Sequence, residues 1–206
     1  WAGQPGSMLF WALCAALCGL LFLLTKSYKA CAPRTKLWFW AYFYLNMAFF
    51  CLLLAGYSNP FIMREPVPVD GNGLNPLLQN PGMIFHPPLL FMGYAGLGIP
   101  GCLALASSTS GERDGLPWFA ATRSFILVSW LLLSAGIILG GWWAYMELGW
   151  GGYWGWDPVE NASLLPWLFA TAALHILAIE RATGKLSRMA ALFMSLTLLS
   201  AWFATW

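Results

Sequence analysis

The chain has 206 residues, 60% of them hydrophobic and 9% charged, where a soluble domain carries roughly 25% charged residues. That composition excludes an ordinary soluble protein and indicates a polytopic membrane protein. The net charge of +2 says little as a total; its distribution along the chain says more. Five cysteines (Cys14, Cys18, Cys31, Cys51 and Cys102) form no Cys-x-x-Cys, so no disulfide or metal framework follows from them. Their plain reading is as small packing residues.

A stretch of about 20 apolar residues spans a bilayer, and its backbone groups must bond internally, so helices are expected. Six such stretches occur, at 7–25, 37–57, 88–107, 120–143, 162–179 and 189–206. The chain starts at Trp1 without Met and stops at Trp206 inside an apolar run, so it is expected to be a fragment or one piece of a split protein. Nine of the ten Lys and Arg residues fall in 26–36, 108–123 and 180–188, and only Arg64 lies on the other side. The positive-inside rule places the nine in the cytoplasm. The 58–87 and 144–161 loops then face the periplasm of a bacterium, or the intermembrane space of a mitochondrion. The expectation is an all-α polytopic membrane protein with about six transmembrane helices and two ordered extracytoplasmic loops. Its parts are an N-terminal bundle (1–143), a tryptophan-rich segment (144–167) and C-terminal helices (168–206).

The first outer loop, with the start of the next helix, carries seven of the thirteen prolines, which stiffen it. It ends "HPP", which predicts His86 just ahead of a helix, since proline suits a first helical turn. The second outer loop runs "GGWWAYMELGWGGYWGWDPVENAS". Its glycines permit close backbone approach. Asp157-Pro158 with Glu160 reads as an N-cap, a proline at the first helical position and a capping box. Pro166 should kink that helix or mark a re-start.

Only two histidines occur. His86 is at the outer surface. His175 lies thirteen residues beyond Ala162, about 20 Å into the membrane at 1.5 Å per residue. An intramembrane ionisable residue is a functional candidate by default, and neutral imidazole binds transition metals and haem iron. The structural alternatives are a turn residue for His86 and a helix–helix hydrogen bond for His175. Six of the fourteen tryptophans fall between 142 and 167. An interfacial aromatic belt needs neither their Gly-Gly pairs nor their Asp-Pro; a flat ligand does need aromatic walls, and a packed cap on the bundle is the alternative. Glu147, Asp157 and Glu160 face outside without a basic partner in their own loop; Asp157 reads as an N-cap supported by Glu160, and the alternative is that the three bind a cationic edge of a partner or guide protons. Arg64, the lone outer cation, pairs with a neighbouring acid, a lipid phosphate or a ligand carboxylate.

"WGGYWGWDPVENASLLPWL", with "WAGQPGS", "GLNPLLQNPGMIFHPPLL" and "GGWWAYMELGWGG", resembles the WWD-domain haem-handling membrane proteins. Within them it is most similar to the CcmF-type haem lyase subunits of cytochrome c maturation and their paralogues in nitrite reductase assembly. The resemblance covers nearly the whole chain. It implies a haem lyase that holds haem at the outer face. His86 matches one ligand of the outer haem iron, and His175 matches one ligand of a buried b-type haem; the second histidine of each pair falls beyond this chain. Trp142, Trp143, Trp150, Tyr153, Trp154, Trp156 and Asp157 match the haem platform. Tyr153 stands where Trp is common and Gly155 where Phe is common; Gly155 removes a ring at that point.

The implied partners are a haem chaperone, apocytochrome c, thiol-handling maturation subunits, the remaining part of the lyase and the lipid bilayer. No nucleic acid is implied, since topology explains the positive charge. Two other functions compete. A haem transporter would want ligands on the inner face, where only Cys31 lies. A non-catalytic scaffold docking the maturation partners would survive loss of both histidines.

Overall fold

The computed structural model describes residues 3–63, 66, 67, 69–71, 73–149 and 152–205. Among them there are helices and no strand. In chain order these are α1 (Gln4–Leu23), α2 (Lys26–Lys29), α3 (Pro33–Ala55), a 3-10 turn (Pro76–Leu78), α4 (Gly82–Ser110), α5 (Trp118–Ala121), α6 (Arg123–Glu147), α7 (Pro158–Thr183) and α8 (Ser187–Phe203). Five of them (α1, α3, α4, α6 and α7) are long and apolar enough to cross a membrane, and α8 is a shorter apolar helix. The protein is thus an all-α polytopic membrane protein.

The bundle is built around α4. Within the most apolar stretch of each span, 78% of α4 is buried inside the protein, against 22–39% for the other four. Lipid tails are as apolar as leucine, so helices in a bilayer associate by close packing, and small residues at the seam allow it. Along α4 a Cβ on Gly93 would meet Leu133 of α6 at 2.8 Å, and one on Gly96 would meet the Ser129 hydroxyl at 1.9 Å. On its other side a Cβ on Gly101 would meet Leu198 of α8 at 2.8 Å. These glycines let two helices lie backbone-close against α4.

Between α6 and α7 the joint is polar and aromatic. Trp130 of α6 and Trp167 of α7 stack with ring centroids 6.1 Å apart. Trp130 Nε1 donates to Thr171 Oγ1 and Trp167 Nε1 donates to Ser134 Oγ, each at 2.8 Å. Each hydroxyl in turn donates to the carbonyl of the tryptophan one turn earlier on its own helix. Every polar atom of this crossing is therefore used. Trp202 makes a similar tie from α8, stacking on Phe49 and donating to Asn46 Oδ1 at 2.8 Å.

Two sequence expectations change. His86 does not precede its helix: α4 begins at Gly82 and carries His86, Pro87 and Pro88 inside it. The two prolines, sixth and seventh in the helix, leave the carbonyls of Met83 and Ile84 without their i+4 amide donors. At Pro166 there is no re-start, because α7 is continuous from Pro158 to Thr183. The capping box at its start is as expected: Glu160 N donates to Asp157 Oδ1 at 2.7 Å, and the Glu160 carboxylate accepts from the Asp157 amide.

Candidate functional site

The start of α4, the end of α6 and the start of α7 converge under the loop that joins α6 to α7. There His86 reaches from α4 to α6, and its Nδ1 lies 2.7 Å from the Gly136 carbonyl oxygen. A carbonyl only accepts, so Nδ1 carries the proton and donates it. Neutral His86 therefore keeps its lone pair on Nε2, the form in which imidazole ligates a metal. The ring lies flat against Gly140, where a Cβ would come within 2.3 Å of its Cε1. Gly136 and Gly140 form a G-x-x-x-G pair on α6. The first supplies the carbonyl and the second the space.

The Pro-rich loop is tied to the same end. Trp143 Nε1 donates to the Leu77 carbonyl at 3.3 Å, and Asn80 Nδ2 donates to Glu147 Oε1 at 2.6 Å. Among the described residues these ties all come from the second half of the loop. Its first half leaves Phe61, Ile62 and Met63 exposed. Arg64 lies outside the described residues.

The acidic motif after the tryptophans explains their arrangement. Trp156 has φ +58°, the only positive φ of a non-glycine among the described residues. That left-handed conformation is sterically unfavourable for a side chain with a Cβ. It is held from both sides: Glu160 Oε2 accepts from the amides of Gly155 (2.8 Å) and Asp157 (3.4 Å), and Asn161 Nδ2 donates to the Trp156 carbonyl (3.0 Å). The consequence is a Trp156 indole that stays 70% exposed. An aromatic ring displayed at a backbone cost is the mark of a functional surface.

Below this loop lies a cleft of about 70 Å³, lined by His86, Trp143, Trp154, Asp157, Glu160 and Ser163 among others. Trp154 Nε1 and Glu160 Oε1 are buried without a hydrogen-bond partner. Buried polar atoms are satisfied in the great majority of cases, so this donor and acceptor at one cleft mark a place for water or a ligand. Of the residues singled out by sequence, the cleft brings together His86, Trp143, Trp154 and Asp157. Trp142, Tyr153 and Trp156 are exposed outside it, and Tyr153 stacks on Tyr145 at 4.6 Å. Trp154 and Trp156 meet nearly edge to face, at 82°, so they form a corner and not one flat sheet. Trp150 lies outside the described residues.

His175 is elsewhere, on α7, exposed on the outside of the bundle. Its Nδ1 lies 2.8 Å from the Thr171 carbonyl of its own helix, so its Nε2 is also the free nitrogen. Cys31, in the loop before α3, is buried, and burial followed by the nearby Asp114 carboxylate pushes its pKa up to about 11. It stays a protonated thiol, a poor ligand.

Gly136 contributes to this arrangement without being singled out by the sequence, and Glu160 does more than support the cap, since it also accepts from the Gly155 amide. The G-x-x-x-G spacing was the available signal for Gly136.

The sequence profile of the family described as Cytochrome C assembly protein matches residues 1–206. The chain belongs to that family. It is 44% identical over 207 residues to the probable cytochrome c-type biogenesis protein NrfE of Escherichia coli (strain K12), covering 100% of this chain and 37% of that protein. It is 43% identical over 187 residues to the cytochrome c-type biogenesis protein CcmF of Haemophilus influenzae, covering 90% of this chain and 28% of that one. Among solved structures, the cytochrome c heme lyase CcmF superposes with a TM-score of 0.80 at 32% identity, covering 100% of this chain and 32% of that chain. The chain therefore spans about a third of the length of the relatives it matches.

Proposed function

We propose that the chain is the haem-binding part of a cytochrome c haem lyase. In this reading it holds haem at the outer membrane face while the Cys-x-x-Cys-His motif of apocytochrome c is attached. The observation that carries the proposal is His86: half-buried, its tautomer set by the Gly136 carbonyl, its ring seated on Gly140, its Nε2 free, in a cleft that also holds an unsatisfied indole N–H.

The fit to haem is specific in one respect and open in another. A free imidazole nitrogen and exposed aromatic faces suit an iron porphyrin. The cleft of about 70 Å³ is far below the roughly 300–1,000 Å³ of pockets that enclose drug-sized ligands. A porphyrin held here would extend past the cleft, where Trp156 and Tyr153 offer exposed aromatic surface, and the remaining part of the lyase would complete its enclosure. The chain positions the substrate. Each thiol S–H adds across one vinyl C=C, sulfur to one carbon and the proton to the other, so no oxidant is needed. Keeping the cysteines reduced falls to the thiol-handling subunits, because the outer compartment favours disulfides.

His175 is the proposed ligand of a second, b-type haem, reached from outside the bundle and completed by a ligand beyond this chain. Bound there, haem supplies one-electron chemistry; His175 contributes a fixed tautomer. The orientation proposed is the inner membrane of a bacterium, with the tryptophan-rich loop in the periplasm, or the mitochondrial equivalent. Phe61, Ile62 and Met63 are the surface assigned to the haem chaperone and apocytochrome c.

The test is haem absorbance of the detergent-solubilised protein, reconstituted with the remaining part of the lyase. Wild type is compared with His86→Ala, His175→Ala and Trp154→Ala/Trp156→Ala. The first and third changes should remove the outer haem and leave the b-type spectrum, and the second should do the reverse. Unchanged spectra in all three variants would leave the scaffold function in its place.

A further inference from the structure

A second cleft, of about 170 Å³, opens at the opposite end of the bundle between α6 and α7. Arg123, the first residue of α6, and Arg181, in the last turn of α7, both line it. The rest of its wall is hydrocarbon, with Phe119, Ile126, Leu174 and Leu177 contributing. Among the described residues neither guanidinium has an ion-pair or hydrogen-bond partner. The carboxylates at this end are engaged by backbone amides: Asp114 Oδ1 accepts from Ala32 N at 2.8 Å, Glu112 Oε2 from Arg34 N at 3.1 Å, and Glu180 Oε2 from Leu186 N. Two unneutralised cations thus share one apolar cleft, at the end of the bundle where the basic residues gather.

We propose that this cleft binds the phosphate of an anionic phospholipid. The guanidinium fork suits two phosphate oxygens at once, and basic pockets between transmembrane helices are the kind of surface that takes lipid headgroups. The cleft volume admits a phosphate and glycerol but not two acyl chains. The acyl chains continue along α6 from Leu127, an exposed part of the cleft wall, to the exposed Leu131 one turn further on. This site is separate from the haem reading and does not depend on it.

The experiment is native mass spectrometry of the detergent-solubilised protein. It is titrated separately with palmitoyl-oleoyl phosphatidylglycerol, palmitoyl-oleoyl phosphatidylcholine and inorganic phosphate. Phosphatidylglycerol should bind wild type about tenfold more tightly than phosphatidylcholine, the effect of one charge-assisted contact. R123Q/R181Q should abolish that preference, and R123K/R181K should keep part of it, with gel filtration checking that each variant stays folded. An unchanged preference in R123Q/R181Q overturns the proposal. So does inorganic phosphate binding as tightly as phosphatidylglycerol, because the apolar wall would then have no part. Loss of haem absorbance in R123Q/R181Q with lipid preference intact would instead assign both arginines to haem carboxylates.

Discussion

Two sets of tryptophan, one at the crossing of α6 with α7 and one in the loop that joins them, are built in opposite ways. Trp130 and Trp167 stack in the middle of the crossing, and each indole N–H has a hydroxyl partner at 2.8 Å. At the outer end Trp154 keeps a buried N–H with no partner, and Trp156 is held exposed in a left-handed conformation. The first pair spends all of its bonding capacity on the fold. The second leaves bonding capacity and aromatic area over. The same residue type, within one tryptophan-rich stretch, is structural where its polar atom is satisfied and available for a ligand where it is not.

Trp167→Ala gives the largest effect expected from breaking that comparison. It deletes the ring and the bond to Ser134 and should cost about 3 kcal/mol of stability, read as a lowered thermal midpoint in detergent. Haem spectra per folded molecule should not change. Gly140→Ala comes next. Its Cβ would collide with the His86 ring, so overpacking should cost about 2 kcal/mol, and the outer haem should be lost along with the His86 position. A variant that kept that haem would show that the ring seat is dispensable. Trp156→Gly is the smallest and most diagnostic. Glycine adopts a positive φ freely, so stability should rise by about 1 kcal/mol, while retention of the outer haem falls. A gain in stability with a loss of binding is what a displayed ligand surface predicts; a loss of both would return Trp156 to the packing set.

Much of this was legible before any coordinates. The apolar stretches found their helices to within a few residues at most ends, because hydropathy is a local sum that a bilayer reads directly. The Asp157-Pro158-x-Glu160 cap was legible for a similar reason, since all its parts lie within one turn. The placement of His86 was not. "HPP" marks a helix start in isolation, but four residues upstream Gly82 packs against Trp143, and that contact lets the helix begin earlier. The division of the tryptophans was equally hidden, since Ser134 and Thr171 carry no sign in the sequence that they serve an indole on another helix.

By itself, then, the sequence determined the membrane class, the spans, the clustering of positive charge at one end and the two histidines worth attention. All of these follow from composition and from spacings within single segments. Only the tertiary structure decided that His86 meets Gly136 fifty residues away, and that Glu160 serves both a helix cap and a strained Trp156. It also left Arg123 and Arg181 sharing a cleft without a counter-charge. The first and last of these depend on how closely two helices approach, which for His86 the glycines of α6 set; the second depends on the left-handed turn at Trp156, which no local pattern announces.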